Sequence, residues 1–197
     1  MPISTNDLLS GPGHAFFQTE TERRDELAMD ITAAAYLRGD FVLSSGARST
    51  YYFDKYLFET KPTVMRRLAE FLGRRVPRDA MRLAGPELGA VALTAVVSLE
   101  TGLPFVIVRR KPKSYATASA IEGELHPGEK VLLIEDVVSS GGEALAAVER
   151  LRAADAHVIG VLAVIDRQAG GSEAIAAAGL PFDALFRLSD FNLGGMR

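Results

Sequence analysis

Val131 to Gly142 reads VLLIEDVVSSGG: four apolar residues, two acids, two more apolar residues, then two hydroxyls and two glycines. A run that is apolar at every position suits a strand covered on both faces. The Ser/Gly turn that follows leads into the helical spacing of Leu145, Val148 and Leu151, so strand, loop and helix start come in succession. The first N–H groups of a helix have no partner within it, and the helix dipole adds about half a positive charge there, so the junction suits an anion. Ser139 and Ser140 can donate to phosphate oxygens, and Gly141 and Gly142 let a phosphate reach the backbone. Glu135 and Asp136 would repel that phosphate, so they belong to a neighbouring polyol or a hydrated magnesium ion. A ribose phosphate satisfies both halves. By themselves the same residues also fit a helix capped by Ser139 with two solvated acids at a strand end.

Outward from this stretch the pattern repeats. A short apolar run near Leu83, FVIV at Phe105 to Val108 and VIGVLAVI at Val158 to Ile165 alternate with helical segments, including one from about Leu88 and one from Gly141 to about Ala154. Fully apolar runs between helices indicate an α/β fold with parallel strands. Nearer the N-terminus, Leu27, Ile31, Ala34 and Ala35 share a helical face from about Arg23 to Leu37, with Gly39 as a stop. Phe41 to Phe53 suggests a hairpin, and Pro62 opens a helix with Val64, Leu68, Phe71 and Leu72 on one face. One domain is expected over residues 1–197: an irregular lead-in over 1–20, a hood from about 21–60 and an α/β core over about 80–187.

Composition narrows the function. At 197 residues and 48% hydrophobic, the chain can bury a core without disulfides or a structural metal. Its net charge of −3 gives no general attraction to nucleic acid or an anionic membrane, so an anionic ligand must be bound locally. Without cysteine, thiolate nucleophiles and Cys-based zinc sites are excluded. His14, His126 and His157 lack metal-ligand spacing, and no dedicated metal residues are expected. The start MPISTNDLLSGPGHAFF is not a signal peptide and Leu88 to Leu99 is too short to span a bilayer, which makes the cytoplasm the expected location. There is neither a G-x-G-x-x-G after a strand nor a G-x-x-x-x-G-K-[ST], which sets aside Rossmann and Walker sites.

IEDVVSSGG resembles the phosphoribosyl-pyrophosphate motif of type I phosphoribosyltransferases, in which two acids, two apolar residues and a hydroxyl residue lead into a Gly-rich end. The resemblance implies that family's architecture, a central mostly parallel sheet flanked by helices with an N-terminal hood. It implies that Glu135 and Asp136 hold the ribose hydroxyls during catalysis and that Ser139, Ser140, Gly141, Gly142 and Glu143 wrap the 5′-phosphate, with Val137 and Val138 in the same donor site. Glu143 stands where the family generally has a small or hydroxyl residue. A carboxylate opposes a phosphate dianion, so Glu143 is expected to point away.

Three further segments resemble orotate phosphoribosyltransferases. FVLSSGARSTYYFD, Phe41 to Asp54, is similar to the segment that covers the pyrimidine, which implies Tyr52 and Phe53 against the base beside Ser139; its residues alone equally suggest a hairpin with core aromatics. VRRKPKSYATASAIEG, Val108 to Gly123, holds Arg109, Arg110, Lys111 and Lys113 within five residues. Such a run is either a solvated turn or a mobile loop suited to a pyrophosphate leaving group. Its likeness to the family's catalytic loop implies that Arg109 binds pyrophosphate, that Lys113 is the catalytic lysine, that Arg110 sits at a frequently basic position and that Tyr115 takes the place usually held by His. Ala116 replaces the usual Gly. In the family this loop reaches into the partner subunit's site, which implies a homodimer. VIDRQAGG, Val164 to Gly171, resembles the orotate-binding turn, with Arg167 facing the base's carboxylate, a task that suits a planar fork of donors. AGPELGAVALTA, Ala84 to Ala95, looks like the turn beside the pyrophosphate, where the amides of Glu87 to Gly89 could contribute.

The implied reaction joins orotate to phosphoribosyl pyrophosphate with magnesium, giving orotidine 5′-monophosphate and pyrophosphate. The small-molecule substrates are the expected partners. A transferase for a purine or uracil would keep VLLIEDVVSSGG without needing Arg167, and a non-catalytic ligand sensor on the same fold is the third reading.

Overall fold

The computed structural model describes residues 18–42, 46, 48–111 and 120–191. Lys113, Tyr115, Ala116 and the lead-in through residue 17 lie outside them. The chain begins with helix α1 (Glu20–Ala35), whose Thr19 and Glu22 form a reciprocal capping box. It runs directly into strand β1 (Tyr36–Val42), so the expected helix to Leu37 ends two residues early and Gly39 lies in a strand. Strand β2 (Arg48–Phe53) pairs antiparallel with β1, as the expected hairpin, across a register shift between Arg38 and Phe41. Helix α2 (Lys55–Glu59) follows, capped by Asp54 Oδ1 accepting from the Tyr56 N–H at 3.1 Å, and then α3 (Pro62–Gly73), which starts at the proline the sequence marks.

The core continues with β3 (Arg82–Pro86), α4 (Gly89–Thr101), β4 (Phe105–Val108), β5 (Ile121–Glu122), β6 (Lys130–Val138), α5 (Gly142–Ala153), β7 (His157–Asp166), α6 (Gly171–Ala177) and β8 (Phe182–Arg187). The six-stranded sheet has the order β5-β4-β3-β6-β7-β8, parallel except for β5. Alternate residues of β6 explain why its sequence is apolar throughout. Leu132 and Ile134 pack with Leu27, Leu68, Leu72 and Leu93 on one face, and Val131 and Leu133 pack with Val148, Leu151 and Ile175 on the other. From β3 the chain order runs one way to β4, and from β6 it runs the other way to β7 and β8. The switch point therefore lies between the carboxyl ends of β3 and β6, where open α/β sheets hold ligands.

At the opposite end of β3, the buried Arg82 forks onto Glu129, with Nε to Oε2 at 2.6 Å and Nη2 to Oε1 at 2.9 Å, and Glu129 also accepts from the His126 N–H at 3.0 Å. These bonds, the Arg82 one first, hold the Glu129 carboxyl down at about 2. The folded state binds this proton more weakly than the unfolded chain, so the pair stabilises above the ordinary carboxylate range and its contribution is lost as pH falls from about 4.5 toward 2. Glu129→Gln is expected to cost on the order of 2 kcal/mol at pH 7 and almost nothing at pH 2, readable from denaturant melts at the two pH values.

Candidate active site

The β6–α5 junction is built as an anion cradle. Gly141 takes a left-handed φ of 79° at the N-cap of α5 and carries no side chain to occupy the first N–H groups, so Ser139 does not cap the helix. A Cβ on Gly171 would meet Ser139 O and Val138 Cγ1, both at 2.5 Å, which makes glycine necessary where the neighbouring turn packs under this loop. The loop lines a cleft of about 350 Å³ together with Lys55, Pro86, Glu87 and Gly89. The cleft sits at the switch point.

The acids are not solvated at a strand end. They lie within β6, which extends to Val138, and Glu135 is 6% exposed and Asp136 2%. Lys55 Nζ donates to Asp136 Oδ2 at 2.6 Å, and the Val137 N–H donates to Oδ1. Glu59 comes up beside Asp136 from α2 and is itself buried. Burial first, and then the nearby Asp136 charge, push the Glu135 and Glu59 carboxyls up to about 8. Burial pulls the Lys55 ammonium down, but the Asp136 charge and hydrogen bond override it and keep Lys55 above its ordinary value. Glu135 Oε1 and Glu59 Oε1 have no hydrogen-bond partner among the described residues.

The rim joins loop to cradle. Arg109 N–H donates to Ala120 O at 2.8 Å, closing the base of the basic segment onto the β4–β5 pair. Glu87 accepts from the Arg110 N–H at 2.8 Å, and the Arg110 guanidinium pairs with Glu143. That hydrogen bond, ahead of the charge itself, lowers the Glu143 carboxyl. Glu143 therefore sits on the cleft's rim with its charge taken up by Arg110. The Glu87 N–H is engaged by Val108 O at 2.9 Å, so Glu87 serves the rim through its side chain, not through its amide.

A second, larger cavity of about 900 Å³ opens beside the cleft, lined by Phe41, Tyr51, Tyr52, Phe53, Tyr56, Arg110 and Arg167 among others. Tyr52 is 42% exposed and sits 5.6 Å from Phe41, ring centre to ring centre, whereas Phe53 packs inward on Phe58 and Phe191. Both expected aromatics border the cavity, and Phe53 is also part of the core. Arg167 follows β7; its N–H donates to Val138 O at 2.8 Å, and its side chain makes no ion pair with another described residue. Lys55, Val137, Ser139 and Glu143 line both cavities, which thus form one continuous site.

Residues 61–178 match the family model described as a phosphoribosyl transferase domain. The orotate phosphoribosyltransferase of Methanocella arvoryzae is 43% identical over 152 residues, 77% of this chain and 87% of that protein, and that of Halobacterium salinarum is 43% identical over 84% of this chain and 95% of its own length. The chain belongs to the orotate phosphoribosyltransferase family. Among solved structures, the Mycobacterium tuberculosis orotate phosphoribosyltransferase in complex with 5-phospho-α-D-ribosyl 1-diphosphate superposes with a TM-score of 0.76 at 29% identity, covering 87% of this chain and 99% of the other. The Aeropyrum pernix orotate phosphoribosyltransferase gives 0.75 at 28% identity over 84% of this chain and 95% of the other.

Within this phosphoribosyltransferase fold most of the expected site residues that the structure describes border the two joined cavities: Glu135 to Glu143 in the cleft, and Tyr52, Phe53, Arg110 and Arg167 around the larger space. Arg109 lines neither; its guanidinium turns to Lys111 O and Glu122. Sequence reading missed Lys55, and gave Gly89 a backbone role only. A lysine and a glutamate four residues apart look like an ordinary helix-surface pair, and nothing local shows that Lys55 turns to an acid 81 positions away.

Proposed function

We propose that the chain transfers the phosphoribosyl group of phosphoribosyl pyrophosphate to orotate, releasing pyrophosphate and orotidine 5′-monophosphate, the product that pyrimidine synthesis requires. The observation that carries this reading is the continuity of an anion cradle floored by two carboxyls with an aromatic-walled cavity bordered by an arginine that has no described ion pair. The free N–H groups at Gly141 and Gly142 and the hydroxyls of Ser139 and Ser140 take the 5′-phosphate. Glu135 and Asp136 take the ribose hydroxyls, which places C1 toward the aromatic cavity. There Tyr52 and Phe53 cover the pyrimidine ring and the Arg167 fork meets its carboxylate.

Reaction breaks the C1–O bond, and its electron pair leaves on pyrophosphate while positive charge spreads over C1 and the ring oxygen. The orotate nitrogen then bonds to C1 and passes its proton to an oxygen of the departing pyrophosphate. Because orotate is already an anion, no strong general base is required. Arg109, Arg110, Lys113 and Tyr115 meet the charge growing on pyrophosphate, and closure of their segment keeps water from hydrolysing the donor. Magnesium supplies further neutralisation of the pyrophosphate. Glu135, which keeps a buried oxygen without a partner among the described residues, and Asp136 would be the acids next to such an ion. We place the chain in the cytoplasm as a single domain acting as a homodimer that shares its basic loop; no helix among the described residues is long and apolar enough to cross a membrane.

A spectrophotometric assay with donor and magnesium should show orotate consumed while adenine, hypoxanthine and uracil are left unchanged. Arg167→Ala is expected to raise the KM for orotate at least tenfold, about 1.4 kcal/mol or more, with donor binding within twofold of the parent. Turnover of another base in preference to orotate, or an unaltered orotate KM in the variant, overturns the assignment.

A further inference from the structure

The buried acids of the donor cleft have one described cation, and it comes from outside the sheet. Glu59, Glu135 and Asp136 crowd together, and Lys55 Nζ is the ammonium that reaches them, 2.6 Å from Asp136 Oδ2. Lys55 begins α2, directly after the β1–β2 hairpin, whereas Asp136 lies in the middle of the sheet. Their contact joins the hairpin side of the molecule to the floor of the cleft. The lysine side chain is one-third exposed, at 33%, and borders both cavities, while its partner carboxylate is 2% exposed.

The two oxygens of Asp136 are held separately. Oδ1 accepts from the Val137 N–H, a backbone group that the strand fixes in place, and Oδ2 accepts from Lys55. A carboxylate bonded at one oxygen can still turn about its χ2 axis, which is a broad torsion; a donor on each oxygen sets the plane. The space around the pair leaves no slack, since a Cβ on Gly89 would lie 1.8 Å from Asp136 Oδ2 and 2.9 Å from Lys55 Nζ. A lysine needed only to balance surface charge has no reason to be enclosed by a helix start, a strand and two cavities.

We propose that Lys55 is a positioning residue for the donor: its ammonium holds the Asp136 carboxylate in the plane that receives the ribose hydroxyls. The proposal rests on the donor half of the function above and is independent of which base is the acceptor. Lys55 acts through Asp136, so its loss weakens donor binding while the acceptor's contacts at Arg167 stay in place. A merely structural cation would behave differently. Its removal would leave three crowded acids, and removing one acid as well would relieve the crowding and restore function.

Three variants separate the cases: Lys55→Met, which keeps the length and apolar stem, Glu59→Gln, and the two combined. Titration with phosphoribosyl pyrophosphate and magnesium in the absence of any base is expected to show at least tenfold weaker binding in Lys55→Met and in the double variant, and less than threefold change in Glu59→Gln. In turnover, the donor KM should rise by the same factor while the orotate KM stays within twofold. If Lys55→Met does not fold, the double variant, with one acid fewer, carries the test. Donor affinity within twofold of the parent in Lys55→Met, or recovered in the double variant, overturns the proposal. A parent that binds donor but ignores orotate sinks the acceptor assignment, and the donor titration still decides the role of Lys55.

Discussion

Gly89→Ala is expected to weaken donor binding at least a hundredfold, although by helix propensity alone the change is favourable. Alanine is better than glycine in a helix by about 1 kcal/mol, and Gly89 is the first residue of α4. Against that small gain stands the position of the new methyl, 1.8 Å from Asp136 Oδ2, closer than any carbon and oxygen can lie without a bond. Either Asp136 turns away and leaves Lys55, or the start of α4 withdraws from β6; both open the floor of the cleft. Breaking a buried ion pair by displacing one partner costs about 3–5 kcal/mol, so the clash outweighs the propensity gain several times over. Calorimetric titration with phosphoribosyl pyrophosphate, beside a thermal melt, checks this. Parent-like donor affinity in a folded variant would show that the cleft floor yields more freely than its packing indicates.

Lys113→Ala is expected to cut kcat by about two to four orders of magnitude with donor affinity within threefold, since a cation that meets charge only as it develops lowers the barrier without strengthening the ground state. On the described residues flanking that segment, Arg109 is tied to Ala120, and Arg110 to Glu87 and Glu143. Single-turnover rates with saturating donor, alongside equilibrium titration, separate the two quantities. An unaffected rate removes Lys113 from the chemistry, and a donor affinity lost in proportion to the rate makes it a binding residue only.

The parallel core and the strand–SSGG–helix junction were legible in the order of residues along the chain. VLLI, FVIV and VIGVLAVI are apolar at every position because each strand is sandwiched between helices, a constraint that acts on neighbours in sequence. SSGG lies between a strand and a helix, the place where the proposed phosphate turn needs small residues side by side, which is again local. The likeness to a known family then tied Arg167, Tyr52 and Phe53 to one ligand, and the structure sets all three around one cavity.

What escaped sequence reading depends on contacts between distant segments. By its residues alone the acid pair fitted a solvated strand end as well as a ribose site, because strand length cannot be read past the apolar run; β6 in fact continues through Glu135 and Asp136 to Val138, in register with Val137↔Ile165 and Val138↔Asp166. Arg110, 33 positions earlier, pairs with Glu143 on the rim, a partner that no local rule points to. VLLIEDVVSSGG was enough, from local rules of strand burial and helix ends, to predict an α/β protein with a ribose phosphate site. Folding alone brought Lys55, Glu59 and Gly89 onto Asp136, because a buried carboxylate must find its partners in space, and the nearest in space come from a helix in front of the sheet and the start of another across the switch point.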